Sequence, residues 1–366
     1  MAKKLFIAAI EKNSGKTTTT IGLMHLAAQK YRRIGYLKPF GGQTVTFRGC
    51  IVDKDVALMA QEFELPHPVE LMSPVVLSHN ITHQVVDGTL APELLQRRIY
   101  SACAELEQQC DFLFIEGSGH PGVGSVLQIS NARIAHMLRA PVLLVAGGGL
   151  GDVVDRLALI QAFFEKEEVD LRAVLVNKLY PEKRERNLDY LRRALRSQSY
   201  QVLGGFDYQR LLANPTLRRI AELFGLPVQG SAGGLERIIY RVLIGAASTH
   251  RVMELLTEPS LILVTSSRNE LLVTLAHLYQ MPEYRSLIVG LVISGSVEIS
   301  SITRQIIDNS GIPYLRAAQS VSADLYQVIN KDVAKIVAQD REKLDLIRAL
   351  AATTLDFDAI DRLFSL

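Results

Sequence analysis

Six side chains in the first half of the sequence have the chemistry to hold a metal-bound polyphosphate: Lys16, Thr17, Lys38, Asp55, Glu116 and Asn177. Lys16 and Thr17 belong to the run Asn13-Ser14-Gly15-Lys16-Thr17-Thr18, which separates an apolar stretch from an amphipathic one. Backbone N–H groups at the start of a helix point outward and carry partial positive charge, so an anion settles there. In such a loop Asn13, Ser14, Gly15 and Thr18 cradle phosphate oxygens, Lys16 reaches the outer phosphates and the Thr17 hydroxyl sits on Mg²⁺. A bare Gly-Lys-Thr also arises by coincidence at helix starts. The earlier glycine of the G-x-x-x-x-G-K-[ST] pattern is replaced here by Ile10, so position along the chain carries the reading: the match lies directly after the first strand and directly before a helix.

Each remaining candidate has a plainer alternative. Lys38 precedes Pro39, which cannot continue a sheet, so it falls at the carboxyl end of a short strand; otherwise it is a solvated loop lysine. Asp53 and Asp55 open a helix, where an N-cap and a favourable first-turn charge would explain both. Glu116 ends the apolar run 111–115 and precedes Gly117-Ser118-Gly119, a place for a carboxylate that holds Mg²⁺ or polarises water, or for an ordinary loop acid. The Asn177 amide, donor and acceptor together, suits the edge of a nucleobase. His79 and His83 are four apart, but Asn80 and Thr82 argue against a helix and no Glu follows the first His; they read as loop histidines facing a substrate cleft.

The elements that must position these residues alternate. Apolar runs at 5–10, 34–37, 111–115, 141–145, 173–176 and 201–206 read as buried strands, with amphipathic stretches at 18–30, 93–109, 152–164 and 184–196. Residues 64–90, rich in Pro, His and Ser, read as irregular. Strand–loop–helix repetition predicts an α/β fold, a mainly parallel sheet with helices on both faces. Lys16, Lys38, Glu116 and Asn177 then come from four separate strand ends, and in such sheets ligands bind at that edge.

A length of 366 residues predicts about two domains. A polar hinge at Asn214-Pro215 and the glycines between Gly225 and Gly234 place the boundary, giving domains 1–213 and 214–366. The second is expected to be a smaller α/β domain with strands near 261–265 and 287–293 and terminal helices at 324–337 and 341–350. A formal net charge of +2 makes no electrostatic case for nucleic acid or a membrane surface. Three cysteines without a C-x-x-C suit a reducing cytosol, and no stretch approaches a membrane span or a secretory signal, so a cytoplasmic protein is expected.

The ordered set Gly15-Lys16-Thr17, Lys38-Pro39, Asp55-Val56-Ala57-Leu58 and Glu116-Gly117-Ser118-Gly119 resembles the dethiobiotin-synthetase-like P-loop proteins, over roughly residues 1 to 210. The resemblance implies catalytic roles for Lys16, Lys38 and Glu116, Mg²⁺ ligation by Thr17, Asp55 and Glu116, ATP as the nucleotide, and Asn177 at the base. The second half resembles the DRTGG domain, with Ser267-Arg268 where an acid–Arg pair is expected. The two modules in this order resemble the N-terminal region of long phosphate acetyltransferases, without the acetyltransferase domain, since the sequence stops at Leu366. The implied function is a Mg-ATP-binding regulatory or sensor protein with slow ATPase activity, forming a homo-oligomer and acting with an acetyltransferase partner. The alternative is an ATP-dependent enzyme of the dethiobiotin synthetase or cobyrinate amidating type, which activates a small carboxylate or carbamate through an acyl phosphate.

Overall fold

The computed structural model describes residues 2–231, 233–332 and 335–365. It divides into two compact units, Met1–Tyr208 with Ile336–Leu366, and Gln209–Lys335.

In the first unit, β1 (Lys3–Ala9), β2 (Ile34–Leu37), β3 (Phe112–Glu116), β4 (Val142–Gly147), β5 (Leu171–Asn177) and β6 (Gln201–Gly204) form one sheet in the order β6-β5-β4-β1-β3-β2. Every neighbouring pair is parallel. Strands β3 and β4 are buried along their whole length, which is why they read as unbroken apolar runs: helices cover both faces. The chain steps from β1 outward past β3 to β2, then returns across β1 to β4. That reversal opens a crevice at the carboxyl end of β1, where helix α1 (Lys16–Lys30) begins.

One local feature has no counterpart among the sequence expectations, and a second departs from them. Residues 44–53 form an antiparallel hairpin, Thr44–Phe47 against Cys50–Asp53, turning at Arg48 and Gly49, both with positive φ, as a two-residue primed turn requires. Residues 64–90 are not irregular: Val75–Val76 pairs with Phe40–Gly41, and helices cover Val69–Met72 and Ile81–Val86. Buried Ile81 anchors the second of these helices despite Asn80 and Thr82. The three thiols form no disulfide; burial raises the Cys103 thiol and pushes that of Cys110 up to about 12.

The second unit, taken by itself, contains β7 (Val228–Gln229), β8 (Arg241–Ile244), β9 (Ser260–Thr265), β10 (Ile288–Ser294) and β11 (Tyr314–Ala317), in the order β7-β11-β10-β9-β8. β8 to β11 are parallel and β7 is antiparallel at the edge. One face packs Ile262, Leu271, Leu275 and Ile307, the other Leu217, Ile220, Leu263 and Leu325. The glycine-rich stretch 225–234 lies inside this unit, because β7 pairs there with β11. The helix expected over 324–337 spans Ser322–Lys331; residues 333 and 334 of that expectation lie outside the described residues.

The last thirty residues do not stay with the second unit. Helices Arg341–Thr354 and Phe357–Leu363 pack on the first one. A Cβ on Gly22 of α1 would stand 3.2 Å from the Ala351 Cβ, so the two helices approach closely where side chains are smallest. Phe357 meets Phe112 of β3 edge-on at 6.3 Å. Glu62, its side chain fully buried, is ion-paired by Arg341 and Arg348. Asp361 is hydrogen-bonded by Lys3, by Lys30 at 2.9 Å and by the Tyr31 hydroxyl at 2.7 Å.

Burial alone would raise the Asp361 carboxyl, but the hydrogen bonds from Lys3, Lys30 and Tyr31 outweigh it and hold it below the usual aspartate value. A group depressed on folding adds stability above its unfolded pKa of about 3.9 and loses it as pH falls through the folded pKa. Asp361→Ala should cost about 2 kcal/mol at pH 7 in urea unfolding, less than the about 3–5 kcal/mol of a fully buried pair because Lys30 is half exposed. The gap between wild type and variant should close as pH falls through the depressed folded pKa of Asp361.

Candidate nucleotide-binding site

The carboxyl ends of β1, β2, β3 and β5 bring the expected residues to one edge. Gly15 caps α1 with φ +93° and no side-chain cap, leaving the first N–H groups of the helix directed into the crevice. A Cβ there would lie 2.7 Å from the Asn177 amide nitrogen, so both conformation and space favour glycine. Asn13 also holds positive φ, at +66°, and the buried Ser14 hydroxyl donates to the Glu11 carbonyl at 3.1 Å. Thr18, half buried, is in the first turn of α1.

Glu116, with no exposed surface, is the centre of the polar cluster. Its Oε1 accepts hydrogen bonds from the Thr17 hydroxyl at 3.0 Å and the Lys38 ammonium at 3.1 Å, and Oε2 accepts from the Tyr36 hydroxyl at 3.3 Å. Lys38 also donates to Asp55 Oδ2 at 2.7 Å. Lys16 donates to the Gly119 carbonyl at 2.9 Å, in the loop that follows Glu116. Thus Lys16, Thr17, Lys38, Asp55 and Glu116 converge, although up to a hundred residues separate them.

Ions this deep cost several kcal/mol each unless paired. Burial by itself would lower the Lys38 ammonium; Asp55, Glu116 and Asp53 outweigh it and hold it well above the usual lysine value. Burial, then the charge of Glu116, pushes the Tyr36 hydroxyl well above the usual tyrosine value, so it acts as a donor. Asp53 is the N-cap of helix α2 (Lys54–Glu62), accepting from the Asp55 N–H at 3.0 Å, which fixes where Asp55 points. The two readings of these acids therefore divide: Asp53 caps, and Asp55 faces the cluster.

Asn177 does not present its amide to an open pocket. It is 2% exposed, donates to the Thr19 hydroxyl at 2.9 Å and the Ser14 carbonyl at 3.3 Å, and accepts from the Phe206 N–H at 2.8 Å. It braces the phosphate loop from behind rather than offering a free edge. His79 and His83 are exposed, and among the described residues no group of three His, Cys, Asp or Glu side chains could hold a metal. Two carboxylates and a hydroxyl nevertheless form a hard-oxygen donor set of the sort Mg²⁺ uses when phosphates and water complete its shell, and the ammonium between them marks the spot as one that takes positive charge.

Two contributors were not anticipated from sequence. Tyr36 lies on a strand where alternation marks only a core position. Asn131, 1% exposed, accepts from the Ser118 N–H and donates to the carbonyls of Ser118 and His120, fixing the loop that receives Lys16. Beside that loop a cavity of about 260 Å³ is lined by Ile10, His120, Pro121, Ser125, Leu159 and Phe163. Among the described residues no helix is long and apolar enough to cross a membrane.

Asn177→Ala removes a buried amide and leaves the Phe206 N–H without its acceptor. It should cost about 1–3 kcal/mol in urea unfolding, and amide exchange at Gly15 and Lys16 should accelerate more than in β4.

Comparison with known proteins agrees with this geometry. Residues 3–216 match the family described as an AAA domain. The chain is 24% identical over 322 residues to a phosphate acetyltransferase of Synechocystis, covering 86% of this chain and 44% of that protein. It is 33% identical over 166 residues to an ATP-dependent dethiobiotin synthetase of Cellvibrio japonicus, covering 44% of this chain and 72% of that protein. It is 27% identical over 203 residues to a cobyric acid synthase of Synechococcus, covering 48% of this chain and 40% of that protein. The chain spans about half the length of the phosphate acetyltransferases it matches. With more than half its length matched, and with a phosphate loop, two carboxylates and two lysines gathered at one sheet edge, this chain belongs to the AAA domain family of P-loop nucleotide-binding proteins.

Proposed function

We propose that the chain binds Mg-ATP at the carboxyl edge of its first sheet and acts as a nucleotide-responsive regulatory protein, with slow ATP hydrolysis at most. The observation that carries this is the convergence of Lys16, Thr17, Lys38, Asp55 and Glu116 on one crevice. Lys16 and the N–H groups at the start of α1 would take the phosphates, while Thr17, Asp55 and Glu116 would hold Mg²⁺. The regulatory part of the reading is supported by coverage: the phosphate acetyltransferase relatives match across both units, not the first alone. On this reading the second unit is a DRTGG-like module, and the partner is an acetyltransferase or a second copy of the chain.

A second reading is favoured by the cavity next to Ile10 and His120. Its largely apolar lining suits the hydrocarbon part of a small carboxylic acid. The carboxylate would attack the γ-phosphorus of ATP, releasing ADP and forming an acyl phosphate for a later nucleophile to displace. The dethiobiotin synthetase and cobyric acid synthase relatives lend support to this reading.

Calorimetric titration with Mg-ATP and Mg-GTP, followed by phosphate release, tests both. A hundredfold excess of ligand over Kd should stabilise the unit by about 2.7 kcal/mol, visible as a thermal shift. Lys16→Ala should weaken nucleotide binding at least tenfold with unchanged melting of the free protein; equal affinity would remove Lys16 from the phosphate site. Binding without release supports the regulatory protein, and release stimulated by a small carboxylic acid supports the enzyme.

A further inference from the structure

The Lys38 ammonium is placed where a bound cation would compete with it. Lys38, Asp55 and Glu116 are 4%, 4% and 0% exposed. The ammonium bridges the two carboxylates, 2.7 Å from Asp55 Oδ2 and 3.1 Å from Glu116 Oε1, and lies 3.4 Å from the Gly117 carbonyl. Glu116 Oε1 is the same atom that receives the Thr17 hydroxyl. The oxygens that would ligate a divalent ion are therefore already gathered around a monovalent one.

We infer that Lys38 is an internal cation that closes the metal site of the nucleotide-free protein, and that Mg²⁺ and the Lys38 ammonium hold these carboxylates in alternation. The inference rests on the nucleotide-binding reading above. Mg²⁺ demands oxygen ligands at about 2.1 Å in near-octahedral array. An ammonium within hydrogen-bonding distance of both carboxylates leaves no room for that shell, and two cations sharing the same oxygens repel. Metal entry therefore requires the side chain to leave.

The departure needs no change in the sheet. The Lys38 N–H is bound to the Met72 carbonyl at 2.8 Å and Pro39 follows, so the backbone stays fixed while the four-carbon stem swings. An expelled ammonium in a buried crevice needs an anion, and a polyphosphate supplies one where the metal alone does not. Metal without nucleotide must break two carboxylate contacts and leaves the ammonium no more than the pull of Asp53, already engaged as the α2 cap. Metal with nucleotide replaces them. The lock thus makes divalent cation and nucleotide bind cooperatively, and it couples nucleotide arrival to the position of a charged side chain at the end of β2.

The test uses Mn²⁺ as the probe, with the free ion followed by electron paramagnetic resonance on the full chain. In the absence of nucleotide, Lys38→Met should bind Mn²⁺ at least tenfold more tightly than wild type, and the gain in Mn²⁺ affinity on adding ATP should shrink by the same factor. Equal or weaker Mn²⁺ binding by the folded variant would overturn the lock. Because Lys38→Met leaves two buried carboxylates facing each other, a second measurement uses wild type alone. With ¹⁵N-labelled lysine, the Lys38 ammonium resonance should be observable in the free protein and should move when Mg-ATP is added. A resonance that stays in place while calorimetry records Mg-ATP binding overturns the lock and leaves the nucleotide site standing. Absence of any Mg-ATP binding by wild type overturns both.

Discussion

A glutamate with none of its surface in contact with water must be neutralised where it stands, and much of the first unit is arranged around that need. Glu116 ends a strand buried along its whole length, between β1 and β2. Lys38 at the end of β2, Thr17 at the start of α1 and Tyr36 within β2 each satisfy one side of it. Lys38 in turn needs Asp55, and Asp55 is aimed by the cap that Asp53 places on α2. A parallel sheet whose strand ends were displaced by one residue would separate these groups and leave buried charges unpaired. The polar cluster thus fixes register as much as the hydrophobic strands do.

Most of this arrangement was readable in the sequence because two periodicities agree with it. Apolar runs bounded by Gly, Pro or a polar residue mark the six strands, and the charged residues that end two of them, Lys38 and Glu116, are what the sheet presents to ligand. Lys38 was locatable because Pro39 stops the strand, and Glu116 because three small residues follow it. The hairpin at 44–53 was also open to reading: Thr44–Phe47 and Cys50–Asp53 flank a two-residue turn, but Arg48 holds a left-handed conformation that its residue type does not advertise.

What stayed hidden depends on tertiary contact. Asn177 carries an amide that could pair with a base or with backbone; its neighbours Ser14, Thr19 and Phe206, not its own type, decide for the second. Asn131 looks like an ordinary helix-start residue until the loop at 118–120 is folded over it. The C-terminal helices lie away from the domain that sequence order assigns them, for the same reason. An amphipathic helix needs some apolar surface to cover, and sequence order suggested the nearest one. The partner surface instead belongs to α1 and β3, more than two hundred residues earlier.

That return of the chain has a consequence for how the protein is made. The first unit is interrupted, with residues 209–335 inserted between its sheet and the two helices that close it. On the ribosome the six parallel strands emerge long before their covering does, and the apolar flank of α1 must wait for Ala351 and Phe357. The inserted unit has its own core and can collapse meanwhile. The nucleotide-binding unit therefore reaches its finished form only once the helices Arg341–Thr354 and Phe357–Leu363 have left the ribosome, so chaperone protection would matter most at the face of α1.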